Sequence, residues 1–259
     1  MAEAQKKTQR KTWSAADYAE NARFVPTLAG PVLLDMLAAK PGERILDLGC
    51  GDGALTVQIA ETGADVLGVD GDGNMVAAAV AMGVTAQCVD GQALSFENEF
   101  DAVFTNAALH WMLDAPAVAA GVFKALKPGG RYVGEFGGFG NIAAVQAAAR
   151  AVMQARGFAL PGALPHYYPT DEDYTALLEQ AGFATVNASL IPRPTPLPTG
   201  LIGWLETFGD SLLPGVPDDQ HASMFEEMCT LLKPCLCTPG GTWFADYIRL
   251  RFTAEKPGP

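Results

Sequence analysis

Positive charge is scarce in this chain. Lys and Arg together number 17 against 29 Asp and Glu, and the formal net charge is −12 at pH 7. A phosphate backbone is gripped by clustered basic side chains, so nucleic acid is excluded as a partner. The one basic run, Lys6, Lys7, Arg10 and Lys11, falls in a polar tail expected to be disordered. Long apolar runs are missing too. No stretch reaches the roughly 18–20 residues that span a bilayer, which excludes a membrane-spanning helix. The start lacks the hydrophobic core of a signal peptide, so a cytoplasmic location is expected. Cysteine is sparse and scattered: Cys50, Cys88, Cys229, Cys235 and Cys237. Cys235-Leu236-Cys237 is C-x-C, not the C-x-x-C of a zinc site, and the nearest histidine in sequence is His221. Free thiols and no bound metal are expected. Nothing resembles a Ser-His-Asp triad, and no internal repeat stands out.

What is present is an alternation of short apolar strands and helices. Apolar residues are 49% of the 259 and charged residues 18%, enough for a substantial core. Strands are predicted over 44–48, 65–69, 85–89, 100–105 and 131–136. Helices are predicted over 14–25, 31–39, 54–61, 74–82, 115–126 and 141–156. This rhythm means a doubly wound α/β fold, a mostly parallel sheet covered on both faces. The second half is less regular. A proline-rich loop over 157–170 precedes a helix over 171–181 and a strand over 184–191. The stretch 193–240 reads as a helical lid inserted before a final strand over 242–252. The expected division is a tail and lid helix over 1–29, a core over 30–192, the lid over 193–240, and the last strand with its tail over 241–259.

The most informative stretch is Ile45-Leu46-Asp47-Leu48-Gly49-Cys50-Gly51-Asp52-Gly53. It is a buried strand ending in a glycine turn, with a carboxylate at the strand's tip. Glycines there let a ligand approach the backbone. Gly49, Gly51 and Ala54, with Asp70 further on, also fit the dinucleotide fingerprint. A pyrophosphate on that turn would meet Asp47, a poor neighbour for an anion. A cofactor carrying an ammonium and a sulfonium suits it, which favours S-adenosylmethionine over NAD. Polar residues then recur at successive strand ends: Asp70 after the second strand, Asp90 after the third, Asn106 after the fourth. In an open parallel sheet the ligand lies at those carboxyl ends. A carboxylate after the second strand can take two ribose hydroxyls, and one after the third can accept from an adenine amine.

These residues resemble the class I S-adenosylmethionine-dependent methyltransferases over roughly 30–136. The resemblance is carried by Leu46-Asp47-Leu48-Gly49-Cys50-Gly51-Asp52-Gly53, Gly68-Val69-Asp70, Cys88-Val89-Asp90-Gly91-Gln92, Phe100-Asp101-Ala102-Val103-Phe104-Thr105-Asn106 and Lys127-Pro128-Gly129-Gly130. It implies a Rossmann-like sheet of seven strands in the order 3-2-1-4-5-7-6, the last antiparallel. It also implies that Asp47, Gly49, Cys50 and Gly51 hold the methionine portion and Asp70 the ribose. Asp90 would take the adenine amine, Gly71, Met75, Gly91 and Gln92 would line the adenosine slot, and Asn106 would close the cofactor site. A finer likeness, through Trp13 and Tyr18 and through Asn106-Ala107-Ala108-Leu109-His110-Trp111, is to the trans-aconitate and malonyl-carrier-protein methyltransferase branch. That likeness suggests O-methylation of a small acid or hydroxyl compound. His110 stands where such carboxylate-methylating relatives often carry glutamine.

His110 is the candidate catalytic residue, because an imidazole with a pKa near 6.5 can act as a general base. A pocket-shaping role is its alternative. Trp13, Tyr18, Trp111, Phe136, His166, Tyr167, Tyr168 and Arg193 are the candidate acceptor contacts, with Arg193 able to pair with a substrate carboxylate. The expected partner is a small-molecule acceptor, and monomer and homodimer are both compatible with the chain. Two other classes stay open: a non-methylating or ligand-binding protein of this fold, and an NAD-dependent oxidoreductase, which Asp47 disfavours.

Overall fold

The structure is a computed structural model describing residues 24–163 and 165–258. Trp13, Tyr18 and most of the helix expected over 14–25 lie outside the described residues. Seven strands form one sheet: β1 (Arg44–Leu48), β2 (Asp65–Asp70), β3 (Ala86–Cys88), β4 (Phe100–Asn106), β5 (Leu126–Gly137), β6 (Ala184–Pro196) and β7 (Phe244–Glu255). Their order is β3-β2-β1-β4-β5-β7-β6. The β1–β2, β1–β4, β2–β3 and β4–β5 pairs are parallel, and β7 runs antiparallel to β5 and β6. The helices are α1 (Phe24–Leu37), α2 (Ala54–Ala60), α3 (Gly73–Ala81), α4 (Ala115–Ala125), α5 (Ala143–Ala155), α6 (Asp171–Gln180), α7 (Gly200–Phe208) and α8 (Asp218–Leu236). No described helix is long and apolar enough to cross a membrane.

Alternation along the strands sorts the side chains into two faces. Ile45, Ala102, Phe104 and Val133 share one face and pack with Leu33 and Leu37 of α1 and Leu55 and Ile59 of α2. Leu46, Leu48, Val103, Tyr132, Phe136, Leu250 and Phe252 share the other, under α4 and α6. A third apolar cluster joins α5 to α7 and α8.

Several boundaries differ from expectation, each for a local reason. Pro31 was expected to open a helix but lies inside α1. The lost backbone bond costs on the order of 3 kcal/mol, and fully buried Leu33 and Leu37 offset it. Lys127-Pro128-Gly129-Gly130 was expected to precede the fifth strand. Instead it is a bulge within β5: pairing passes from Phe100↔Leu126 directly to Ala102↔Arg131, with Gly129 at φ 79°. β6 runs on to Pro196, past the expected end at 191. Its prolines, Pro192, Pro194 and Pro196, alternate, so their missing N–H groups all lie on one side. β6 is an edge strand, where the side facing away from β7 needs no donor. The insertion therefore starts after Pro196, and Arg193 lies on the strand rather than beyond it.

The apolar residues of the insertion form part of the protein's core. Leu201, Trp204, Leu205, Leu212, Leu213, Met224 and Phe225 are buried together with Val145, Val152 and Met153 of α5. The Trp204 indole N–H also donates to the Tyr247 hydroxyl on β7 at 2.6 Å. Trp204→Ala is expected to cost roughly 3–5 kcal/mol of unfolding free energy, the usual range for a large core side chain. Urea denaturation measures it. A loss below about 1 kcal/mol would mean that the insertion is not integral to the core.

Candidate functional site

At the tip of β1 the backbone turns at Gly49 with φ 77°, and a Cβ there would lie 2.2 Å from the Ala108 Cβ. Only glycine fits, so the turn is pressed against the loop that follows β4. The Gly49 and Cys50 N–H groups both donate to the Val69 carbonyl, at 2.7 and 3.0 Å. The Gly51 N–H donates to Asp70 Oδ2 at 3.0 Å, and the Asp72 N–H to Asp70 Oδ1 at 2.9 Å. These bonds lock the ends of β1 and β2 into one unit.

Asp47 is 2% exposed. The Thr56 hydroxyl donates to its Oδ2 at 2.6 Å. Burial nonetheless pushes its pKa up to about 7, and the charge of Asp70 adds to the rise. Asp47, Gly49, Cys50, Gly51 and Asn106 line one pocket. In it the buried Asn106 Oδ1 has no hydrogen-bond partner among the described residues. A buried carboxyl and an unsatisfied carbonyl oxygen on residues lining one pocket call for a cationic donor. An ammonium group satisfies both. The methionine end of S-adenosylmethionine carries one, and a pyrophosphate does not. Burial, with the charges of Asp47 and Asp70, also pushes the Cys50 thiol up, so it stays neutral.

The neighbouring strand ends carry the other expected cofactor residues. Asp70 is mostly buried and its pKa is raised by that burial. Gly71 follows it, and Met75 is buried in the first turn of α3. Asp90 caps the turn over Gly91–Ala93 and accepts from the Gln92 N–H at 3.1 Å and from Gln92 Nε2 at 3.3 Å. Gln92 Oε1 accepts from the Asp114 N–H at 2.8 Å, which fixes the side chain. Gly91 lies against Met112, whose Sδ would be 2.7 Å from a Cβ there.

A second set of expected residues gathers beyond β4. His110, on a short turn over Leu109–Trp111, is 7% exposed. Its ring lies 5.2 Å from Trp111, 6.0 Å from His166 and 5.8 Å from Tyr168. Trp111 meets His166 edge-on at 4.5 Å, and His166 stacks on Tyr168 at 5.3 Å. His110 Nδ1 accepts from the Gly137 N–H at 3.4 Å, which leaves the proton of the neutral ring on Nε2. Burial drives its pKa well below 6.5, and Arg249 and His166 push the same way. Burial also lowers His166, to about 4. The ordinary imidazole expected at His110 is therefore not found, because its ring is buried and lies within reach of the Arg249 charge.

Three placements correct the sequence reading. Phe136, expected on an acceptor rim, is fully buried against Tyr174 and Phe252. Alternation turns it to the face opposite Glu135. Tyr167 stacks on Phe136 at 6.3 Å and donates its N–H to the His110 carbonyl at 3.0 Å, so it anchors the loop to that core. Arg193, expected free for a substrate, forms an ion pair with Glu135.

Sequence reasoning missed Thr56, Met112, Glu135, Arg249 and Arg251. Only the last two left a signal: Tyr247, Arg249 and Arg251 repeat with period two along an apolar strand, placing two cations on one buried face.

The chain was then compared with known proteins. Residues 46–134 match the family model described as a methyltransferase domain. An uncharacterised methyltransferase of Schizosaccharomyces pombe is 36% identical over 256 residues, covering 94% of this chain and 98% of that protein. A trans-aconitate 2-methyltransferase of Deinococcus radiodurans is 30% identical over 261 residues, covering 95% and 99%. The fold is shared with phosphoethanolamine N-methyltransferase 2 of Haemonchus contortus, solved with phosphomonomethylethanolamine and S-adenosylhomocysteine. That match has a TM-score of 0.61 at 20% identity and covers 94% of this chain and 57% of that one. Sheet order and site thus define a Rossmann-like cofactor-binding enzyme. The chain belongs to the class I S-adenosylmethionine-dependent methyltransferases, and its cofactor is S-adenosylmethionine.

The raised pKa of Asp47 makes stability and binding oppose each other. In the unfolded chain the carboxyl titrates near its ordinary 3.8, and in the folded chain near 7. The favourable contribution of its neutral form is complete below the unfolded value. It is lost as pH rises from there through the folded value. Asp47→Asn removes that loss, so the cofactor-free variant is expected to melt higher than wild type at about pH 8 and to match it at about pH 4. Its affinity for S-adenosylhomocysteine should fall by about 1.5–3 kcal/mol, the worth of a charge-assisted hydrogen bond. Thermal melts at both pH values and calorimetric titration check the pair. A variant that binds as well as wild type would remove Asp47 from the cofactor site.

Proposed function

We propose that this enzyme transfers a methyl group to a carboxylate oxygen of a small acid. The observation that carries the proposal is His110, the only titratable side chain between the end of β4 and Asp114. Buried beside Arg249 and holding the Gly137 N–H on Nδ1, it is a poor general base. A phenol, enol or protonated amine needs a base near its own working pH, and a carboxylate needs none. The relative named trans-aconitate 2-methyltransferase supports an acid as acceptor.

When bound, S-adenosylmethionine supplies the methyl: the carboxylate lone pair forms the C–O bond while the S–CH₃ pair returns to sulfur, leaving a neutral ester and a neutral thioether. The protein's work is therefore alignment and exclusion of water. Asp47 and Asn106 would orient the methionine end, and Asp70 and Asp90 would hold the ribose and the adenine. His110, Trp111, His166 and Tyr168 form the wall against which the acceptor lies. The insertion roofs that wall, and its Ser211 hydroxyl sits 3.5 Å from His166 Nε2.

His110→Gln is expected to keep kcat within about tenfold of wild type. At saturating cofactor, kcat should stay flat through the neutral range, because burial holds both imidazoles uncharged there. A labelled-methyl transfer assay over a panel of small acids, phenols and amines tests acceptor class and variant together. A drop of about 10²–10⁴ in kcat, with loss of an imidazole-dependent acid limb, would move the acceptor to a hydroxyl compound. Absence of labelled product with every acceptor would favour a non-methylating member of the fold.

A further inference from the structure

Glu135 lies on β5 directly beside Asn106 in the β4–β5 register and is 0% exposed. Three guanidiniums converge on it. Arg251 grips Oε2 with Nε at 2.9 Å and Nη2 at 2.8 Å. Arg193 pairs with Oε1. Arg249 reaches the same oxygen only through Nε at 3.6 Å, with its guanidinium 5.2 Å from the Tyr247 ring centroid. One carboxylate thus faces three cations, in a chain whose net charge is −12. Of the three arginines only Arg249 is buried; the Arg193 and Arg251 side chains are each 22% exposed, where water screens their charge.

The three arginines are not equivalent. Arg251 and Arg193 are within bonding distance of Glu135, and Arg249 is not. Arg249 is 6% exposed, yet its Nη groups make no hydrogen bond among the described residues. Register sets Arg249 opposite Gly137, whose N–H donates to His110, and its charge acts on both His110 and Tyr168. The orphaned His166 Nδ1 belongs to that same wall.

We propose that Arg249, held in place by Glu135 with Arg193 and Arg251, is an anion-recognition subsite that seats a second, non-reacting carboxylate of the acceptor. The inference rests on the carboxylate-methylating function proposed above and adds the residue that selects and orients the acid. The planar fork of arginine binds a carboxylate through two parallel N–H···O bonds. Clamped at one end, a dicarboxylate presents its other carboxylate toward the cofactor, so a single monoester is formed. The protonated His166 state is not needed, because a neutral Nδ1 accepts from a hydroxyl or from a water on the acid.

Calorimetric titration tests this with trans-aconitate, citrate and succinate as probes, both with and without saturating S-adenosylhomocysteine. Wild type, Arg249→Gln and Arg249→Lys are compared. At least one acid should bind wild type. Arg249→Gln should weaken that acid by at least about tenfold, and Arg249→Lys should recover part of the loss. Affinity for S-adenosylhomocysteine should be unchanged in both variants. In turnover the loss should fall on KM more than on kcat, with mixed monoesters from Arg249→Gln. If Arg249→Gln does not fold, Arg249→Lys and a loss of acid affinity in high KCl stand in for it. The subsite is overturned if no acid binds wild type, or if the variants bind acids as wild type does. Failure to bind S-adenosylhomocysteine would count against the methyl-transfer reading alone, since the acids are also titrated without it.

Discussion

On β1, β4, β5 and β7 alternate side chains point to opposite faces, and the pairing register ties the four alternations together. Asp47 lies opposite Phe104, Asn106 opposite Glu135, and Glu135 opposite Arg251. One face therefore carries an acid at β1, an amide at β4, an acid at β5 and a run of cations on β7. A one-residue slip between any two strands would send half of this set into the apolar cluster on the other face. The same alternation sends Phe136 and Tyr132 into that cluster, where they hold α6 and the far side of β7. Site and core are two readings of one ladder.

The electrostatics follow from that placement. Toward β1 and β2 the buried groups are acids, Asp47 and Asp70, both raised by burial. Toward β6 and β7 the buried Glu135 is met by three arginines, of which Arg249 is itself buried. The two ends of the cleft thus favour ligands of opposite charge, a cation at β1 and an anion at β7. Each buried charge there is poorly solvated and gains by receiving a partner of opposite sign.

The sequence announces one end of this line far better than the other. Gly49, Gly51, Asp47, Asp70 and Asp90 fall within a few residues of strand ends in chain order, so local spacing alone brings them together. Most strands were legible as apolar runs closed by a polar residue or glycine, while their order in the sheet came only from the family resemblance. The candidate acceptor residues come from β5, β6, β7 and the loop over 157–170. Its pairings depend on register between strands more than a hundred residues apart, as with Glu135 and Arg251. No local pattern tells Glu135 from Phe136, its neighbour, as the one that faces the site. Arg193 drew attention because it follows an apparent strand end, and alternating prolines on an edge strand hid the true end at Pro196.

The position of His110 connects the two ends. A general base would have to gain and lose a proton beside Arg249, in a cleft already holding surplus positive charge. Each protonation would add to that surplus at low dielectric, which is the cost recorded in its lowered pKa. The arrangement is therefore hostile to an acceptor that must give up a proton to the protein, and it favours one that arrives already negative. A carboxylate neutralises part of the surplus on binding. A second carboxylate held there would keep its charge through methyl transfer, since only the reacting carboxylate becomes an ester, so the arginine end would be neutralised equally before and after the step.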